Sequence, residues 1–265
     1  MSKPSKPVKI GVLSATAMVV SNMIGTGIFT SLGFQLVSIQ HCFSVLLLWL
    51  IGAVMAFCGA LVYSELGAAM PRSGGEYVYL SKTYHPMLGF LSGFVSMSIG
   101  FAAPAALSSI AFGTYLTRLF NLPSPVITGI IMLSLLTILH CLAIRMSSAV
   151  QITITALNIV LIIFLIAAGQ IISSGISAGF CLPDKRIVAD IFNPSFAVCL
   201  VYVTYAYSGW NAASYIAGDI DMPQKKLPAA LCIGTLLVAV LYILLNYTFL
   251  VAAPRDALAG QLEVA

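Results

Sequence analysis

The ten residues SNMIGTGIFT (21–30) lie inside an apolar run long enough to cross a bilayer, yet they are poor helix material. Gly25, Thr26 and Gly27 sit together, and Met23 and Ile24 lead into them. Glycine in a helix interior costs roughly 1 kcal/mol relative to alanine. Two readings follow: close packing against a neighbouring helix, which small residues favour in membranes, or a deliberate break.

Working outward, the apolar run recurs. Seven stretches are each long enough to span, at about 20 residues per crossing: 11–37, 44–68, 87–117, 124–143, 149–172, 196–217 and 229–252. None alternates at period two, which disfavours a β-barrel. Of the 265 residues, 60% are hydrophobic and 8% charged, against about 25% charged in soluble domains. A net charge of +4 is no nucleic-acid signature. The first run is too long for a signal-peptide core and is followed by no convincing cleavage site. With the N-terminus inside, the inner segments hold Lys3, Lys6, Lys9, Arg72, Lys82, Arg145, Lys225 and Lys226, and the outer ones hold Arg118, Lys185, Arg186 and Arg255. That bias predicts a cytoplasmic N-terminus in a cell membrane, plasma or bacterial inner.

The sixth stretch carries a second interruption. In YVTYAYSGWNAASYIAG (202–218), Ser208 and Gly209 fall near the centre, followed by Trp210 and Asn211. Paired interruptions in corresponding spans of two halves point to a substrate site at a repeat interface. Unwound backbone exposes N–H groups at one half-helix end, which receive a carboxylate, and carbonyls at the other, which receive an ammonium. An amino-acid zwitterion fits that pair, and no charged side chain occurs in either break. Non-helical backbone is tolerated at membrane depth only where it lines protein or a watery cavity.

The remaining chemistry is sparse. Cys42, Cys58, Cys141, Cys181, Cys199 and Cys232 make no CxxC pair and read mostly as small hydrophobes; three scattered histidines form no metal motif. No cofactor is called for, and no clustered nucleophile, base or metal set marks an enzyme. Glu65 is the least expected side chain of the second span. It is compatible with a structural part in an inner gate, with a proton role, or with plain interfacial placement. Arg72 and Glu76 read as parts of the same inner network, and Gly74–Gly75 as a sharp turn. Pro104 predicts a kink in the third span, and Ser92, Ser96 and Gly100 form a small-residue stripe read as packing. Loops are short except for about 173–193.

Three blocks then resemble the amino acid–polyamine–organocation superfamily, nearest to its L-type amino-acid transporter branch and bacterial relatives: NMIGTGIFTSLG (22–33), YSELGAAMPRSGGEYVYL (63–80) and FNPSFAVCLVYVTYAYSGWNAASYIAGDIDMPQKKLPAA (192–230). The resemblance covers essentially the whole chain. It implies an all-α integral membrane protein with a LeuT-like inverted-repeat transporter fold, truncated after about seven transmembrane helices. Residues 1–10 would be the cytoplasmic N-terminus, 11–193 the first five-helix repeat with its outer loop, and 194–265 the incomplete start of the second repeat. It further implies that Gly25, Thr26 and Gly27 receive the substrate carboxylate. Met23, Ile24, Tyr205, Ala206 and Ser208 would hold the amino group, with Tyr205 as an aromatic gate. From the residues alone Tyr205 is equally an ordinary lipid- or core-facing ring. Trp210 and Asn211, beside Gly209, are expected to brace the unwound segment.

Two departures matter. Several members of the superfamily carry a lysine in the fifth helix near the first break, where TITALNIVLIIF (153–164) places Asn158. An amide cannot titrate, so exchange or facilitated transport becomes more attractive than lysine-based proton coupling. The outer segment LTRLFNLPSP (116–125) lacks the cysteine by which animal members of this branch link to a glycoprotein, so no disulfide-linked ancillary subunit is expected. The expected function is transport of amino acids, neutral by preference, across the lipid bilayer. A polyamine or cationic amino-acid carrier and a membrane amino-acid sensor are the alternatives, and a homo-oligomer is compatible with the sequence.

Overall fold

The computed structural model describes residues 9–142, 147–172 and 186–261. Lys3, Lys6, Arg145, Cys181, Lys185 and most of the long loop expected at 173–193 lie outside the described residues.

The described chain is helical. In order it forms α1 (Val12–Met23), α2 (Gly27–Ser38), α3 (Cys42–Ala69), α4 (Glu76–Thr83), α5 (Pro86–Val95), a π-helical stretch (Ser96–Phe101), α6 (Ala102–Phe120), α7 (Pro125–Leu142), α8 (Ser147–Ile172), α9 (Arg186–Ile191), α10 (Pro194–Ala206), a 3-10 segment (Ala212–Asp219), α11 (Pro223–Ala252) and α12 (Arg255–Leu258). Among the described residues five stretches are long and apolar enough to cross a membrane: Val12–Ser38, Cys42–Ala69, Pro86–Phe120, Val150–Ile171 and Pro223–Ala252. Pro125–Ile138 and Pro194–Ala206 are shorter apolar helices. The molecule is an all-α, multi-span membrane protein.

Helix starts follow local chemistry. Proline has no N–H to leave unpaired and a preset φ, so it suits the first helical turn. Pro86 and Pro194 open α5 and α10 in this way. Their N-caps are His85, which accepts from the Met87 N–H at 3.2 Å, and Asn193, which accepts from the Ser195 N–H at 2.9 Å. α3 stops one residue short of Pro71, where the pre-proline position disfavours helix.

The chain forms two compact units. The first comprises Met1–Ser73 and Ile152–Ala265. In it α11 packs along α3 and α1, and α10 lies against α2 and α3. Ile28, Leu32, Leu36, Leu48, Trp49, Leu231, Val238, Tyr242 and Leu245 are buried at its centre. Gly52 and Gly59 of α3 leave no room for a side chain, because Val203 with the Tyr207 ring and the Trp210 ring, respectively, occupy that space. Cys199 is buried and free, and Cys58 and Cys232 are also free. Cys42 departs from the reading of a small hydrophobe, because its sulfur is disulfide-bonded.

The second unit is Gly74–Gln151. Gly74 and Gly75 both have positive φ, 127° and 52°, which a side chain would resist. The expected turn is therefore present. α6 and α7 meet through Gly113 and Gly129, each against backbone of the other helix. Upstream of Pro104 the ladder widens into the π-helical stretch Ser96–Phe101. A proline cannot donate to the carbonyl four residues back, and the looser π turn accommodates the interruption. Many large apolar side chains of this unit are exposed, Phe90, Ile99 and Phe120 among them, a surface suited to lipid.

Candidate functional site

The run quoted at the outset is interrupted. α1 ends at Met23, Ile24 adopts an extended ψ of 96°, and α2 begins at Gly27. The end of α1 closes through the Ile24 N–H, which donates to the Val20 carbonyl at 2.9 Å. The start of α2 does not close in the same way. Thr26 occupies the N-cap but makes no side-chain cap. Among the described residues, the first amide of α2 to find a backbone acceptor is Phe29, at 3.1 Å from the Thr26 carbonyl. A helix start presents four N–H groups without intrahelical partners. Here the Thr26, Gly27 and Ile28 amides meet no acceptor among the described residues, the Gly25 N–H faces the Tyr242 hydroxyl, and Gly25 has nothing within 4 Å of where a Cβ would stand.

The second interruption is built differently. α10 stops at Ala206. Tyr207 and Ser208 turn the chain, with the Ser208 N–H donating to the Tyr205 carbonyl at 3.0 Å. Gly209 takes φ 99°, and the Ala212 N–H closes onto its carbonyl at 3.0 Å.

The two interruptions face each other. A Cβ on Gly27 would lie 3.0 Å from the Ala206 Cα, and one on Gly209 would lie 2.6 Å from the Asn22 carbonyl oxygen. The start of α2 thus abuts the end of α10, and the end of α1 abuts the turn after it. Gly25, Tyr205 and Ser208 are exposed and Thr26 is half-buried, whereas Met23, Ile24, Gly27 and Ala206 are buried. The accessible surface here combines the Gly25–Thr26 backbone, the Ser208 hydroxyl and the Tyr205 ring.

Three buried aromatics that sequence reasoning missed support the first break. The Tyr242 hydroxyl donates to the Met23 carbonyl at 2.5 Å. Trp49 and Tyr207 pack against Tyr242, with ring centroids 5.6 and 5.2 Å away. Trp49 donates through Nε1 to Gln35 Oε1 at 3.0 Å, which ties α3 to α2. Met23, expected to offer a carbonyl to substrate, therefore already accepts one internal hydrogen bond. The available signal was a polar group inside each apolar helix, but nothing local says what it meets.

The bracing residues and the remaining candidates are dispersed. Trp210 packs edge-on against Tyr63 of α3 at 4.9 Å, and Asn211 donates to the Tyr215 hydroxyl at 3.5 Å. Asn158 is half-buried on α8. One turn earlier, the Thr155 hydroxyl donates to the Ala17 carbonyl at 3.3 Å, in mid-α1. Glu65 is exposed near the end of α3, and Arg72 is exposed beyond it. Glu76, the first residue of α4, accepts from the Ser96 hydroxyl at 2.8 Å.

Beyond the second break the chain is laced to the segment just before α1. The Ile10 N–H donates to the Asp219 carbonyl at 2.9 Å, and the Asp221 N–H donates back to the Ile10 carbonyl at 3.0 Å. Asp221 also pairs with Lys226. The Lys226 hydrogen bond, aided by the positive charges of Lys226 and Lys9, holds the Asp221 carboxyl below its ordinary value. Among the described residues no cluster of His, Cys, Asp and Glu could hold a metal.

This geometry can be set beside known proteins. The family model described as Amino acid permease matches residues 10–265. The "Large neutral amino acids transporter small subunit 2" of Rattus norvegicus is 30% identical over 264 residues, covering 96% of this chain and 49% of that protein. The "b(0,+)-type amino acid transporter 1" of Rattus norvegicus is 30% identical, covering 96% and 53%. The "Serine/threonine exchanger SteT" of Bacillus subtilis (strain 168) is 29% identical, covering 91% and 54%. The chain spans about half the length of the curated relatives it matches.

Proposed function

The chain belongs to the amino acid permease family, and from that premise we propose that it holds an amino-acid zwitterion between its two interrupted helices and carries it across a membrane by alternating access. One observation carries this reading: among the described residues the Thr26, Gly27 and Ile28 amides at the start of α2 meet no protein acceptor, beside a Gly25 with open space where a side chain would stand. Amides aimed along a helix N-terminus favour a carboxylate. Gly25, Thr26 and Gly27 would take that group. The substrate ammonium would sit among the Ile24 carbonyl, the α10 end at Tyr205 and Ala206, and the Ser208 hydroxyl, with the Met23 carbonyl sharing its second lone pair. The exposed Tyr205 ring would cover the bound substrate.

The finer reading keeps a LeuT-like inverted-repeat arrangement, in which the two shorter apolar helices complete seven crossings and the N-terminus lies in the cytoplasm. Neutral amino acids are the favoured cargo, because neither break carries a charged side chain. Exchange is the favoured mode, because Asn158 cannot carry a proton. Glu65, Arg72 and Glu76 would serve the inner gate, and Trp210 and Asn211 the rigidity of the segment after Gly209. Neither a disulfide-linked partner nor a cofactor is invoked.

The test is labelled amino-acid entry into proteoliposomes bearing the full chain, loaded or not with unlabelled neutral amino acid. Entry that requires internal amino acid and no sodium or proton gradient is expected. Entry driven by a gradient would overturn exchange, and no entry across a broad panel by folded protein would overturn transport.

A further inference from the structure

The break at 24–26 severs α2 from α1, so something other than α1 must fix where α2 points. The structure supplies a second attachment at the opposite end of α2. There the last four carbonyls of the helix lack intrahelical donors. The Ile39 N–H takes the Gln35 carbonyl at 2.9 Å. The Leu36 carbonyl is taken from outside the helix, by Arg255 Nη2 at 2.7 Å. Arg255 opens the short helix α12, directly after the long helix α11.

Two further contacts lie beside it. The Gly260 N–H donates to the Gly33 carbonyl at 2.9 Å. Gly33 is packed so closely on the backbone of Gln261 that a Cβ would collide with its carbonyl. Gly260 adopts φ 76° to bring the chain there, and Leu258 is buried in the core alongside. The segment after α11 therefore grips α2 by two carbonyls and one bare backbone face. The guanidinium is mostly covered: its side chain is 28% exposed, and its Nε is buried with no hydrogen-bond partner among the described residues. Asp256, by contrast, is 97% exposed and 4.0 Å from the guanidinium, a rim pair of little weight.

A cation at a helix C-terminus complements the dipole, and here it does so on the half-helix whose other end presents the free amides. About eleven residues separate Leu36 from Gly25, or roughly 16 Å along a helix. We propose that Arg255 is a positioning residue: by holding the Leu36 carbonyl it couples α2 to α11 and sets the placement of the amides at the first break. Substrate affinity then depends on Arg255 although the guanidinium touches no substrate. This rests on the transport reading above, and the test separates the two.

The full chain would be prepared as wild type, Arg255→Ala, Arg255→Lys and Asp256→Asn. Hydrogen exchange over residues 33–39 reads the grip without any flux. Flux in oriented proteoliposomes reads KM from the α12 side and from the opposite side. Arg255→Ala is expected to speed exchange over 33–39 while α3 is unchanged. It should also raise KM on the α12 side about tenfold with kcat held. Arg255→Lys should recover part of both effects, and Asp256→Asn should match wild type. Unchanged exchange in Arg255→Ala overturns the grip. Faster exchange over 33–39 with KM unaltered overturns the positioning role. A wild type that carries no amino acid defeats the transport reading while the exchange data still decide the grip. Should Arg255→Ala fail to fold, Gly33→Ala, which wedges the same contact, and Arg255→Lys take its place under the same criteria.

Discussion

The two interruptions both use glycine within an apolar run, but for opposite reasons. At the first, Gly25 has empty space where a side chain would go and needs no unusual φ. At the second, Gly209 combines φ 99° with a hypothetical Cβ only 2.6 Å from the Asn22 carbonyl oxygen. One glycine keeps a space open, and the other lets two backbones touch. The hydrogen bonds divide the same way. The second break closes its turn internally through the Ser208 and Ala212 amides, whereas the start of α2 leaves the Gly27 and Ile28 amides without an acceptor among the described residues. The second interruption is closed by its own hydrogen bonds, and the first keeps the opening that the proposed ligand would use.

Gly209→Ala should be the most damaging single change. A positive φ and a collision with backbone together cost about 2–4 kcal/mol, read as a marked fall in melting temperature of the purified protein. A melting temperature equal to wild type would mean the second break is as loose as the first. Tyr242→Phe comes next. It removes the donor to the buried Met23 carbonyl, at about 1–3 kcal/mol, and should lower both melting temperature and flux. A variant with neither change would show that this carbonyl finds another donor.

Gly25→Ala sharpens the contrast most. Its melting temperature should stay within about one degree of wild type, since nothing borders the new methyl. KM for amino acid should rise about tenfold, or roughly 1.4 kcal/mol, because the methyl enters the ligand's space. Destabilisation as large as that of Gly209→Ala would erase the distinction between the breaks.

The smallest effect concerns Asp221, next to the second break. Its folded pKa is depressed, so its contribution is fully present above the ordinary carboxylate range and is lost as pH falls through the folded value. The pair is only half-buried and open to solvent screening, so the loss should be slight. Asp221→Asn should flatten the acid limb of the melting-temperature profile, and an unaltered limb would assign the pH dependence elsewhere.

Where the chain breaks was legible because the signals are local. Gly25, Thr26 and Gly27 disfavour helix wherever they stand, and so do Ser208 and Gly209. Helix starts at Pro86 and Pro194 were legible for the same reason. What each glycine does was not, since that depends on Asn22 approaching Gly209 and on nothing approaching Gly25. Tyr242 escaped notice because its partner is 219 residues away in sequence. Arg255 read only as one charge in a loop, because its acceptor is a backbone carbonyl and carbonyls have no letter in a sequence. The contact of α8 with α1 made by Thr155 was not legible either, since helix phase sets which side chain reaches a neighbour.

The parallel bridge between Ile10 and Ile220 has a practical consequence for anyone attaching a reporter. A fluorophore placed near Lys9 would ride on a two-bond seam with the segment following Gly209 rather than on a loose tail. Its signal would therefore follow the second interruption in any test of the transport proposed above. A bulky fusion joined there without slack would load that same seam, so impaired uptake by such a fusion would be a mechanical artefact rather than a sign of lost ligand recognition.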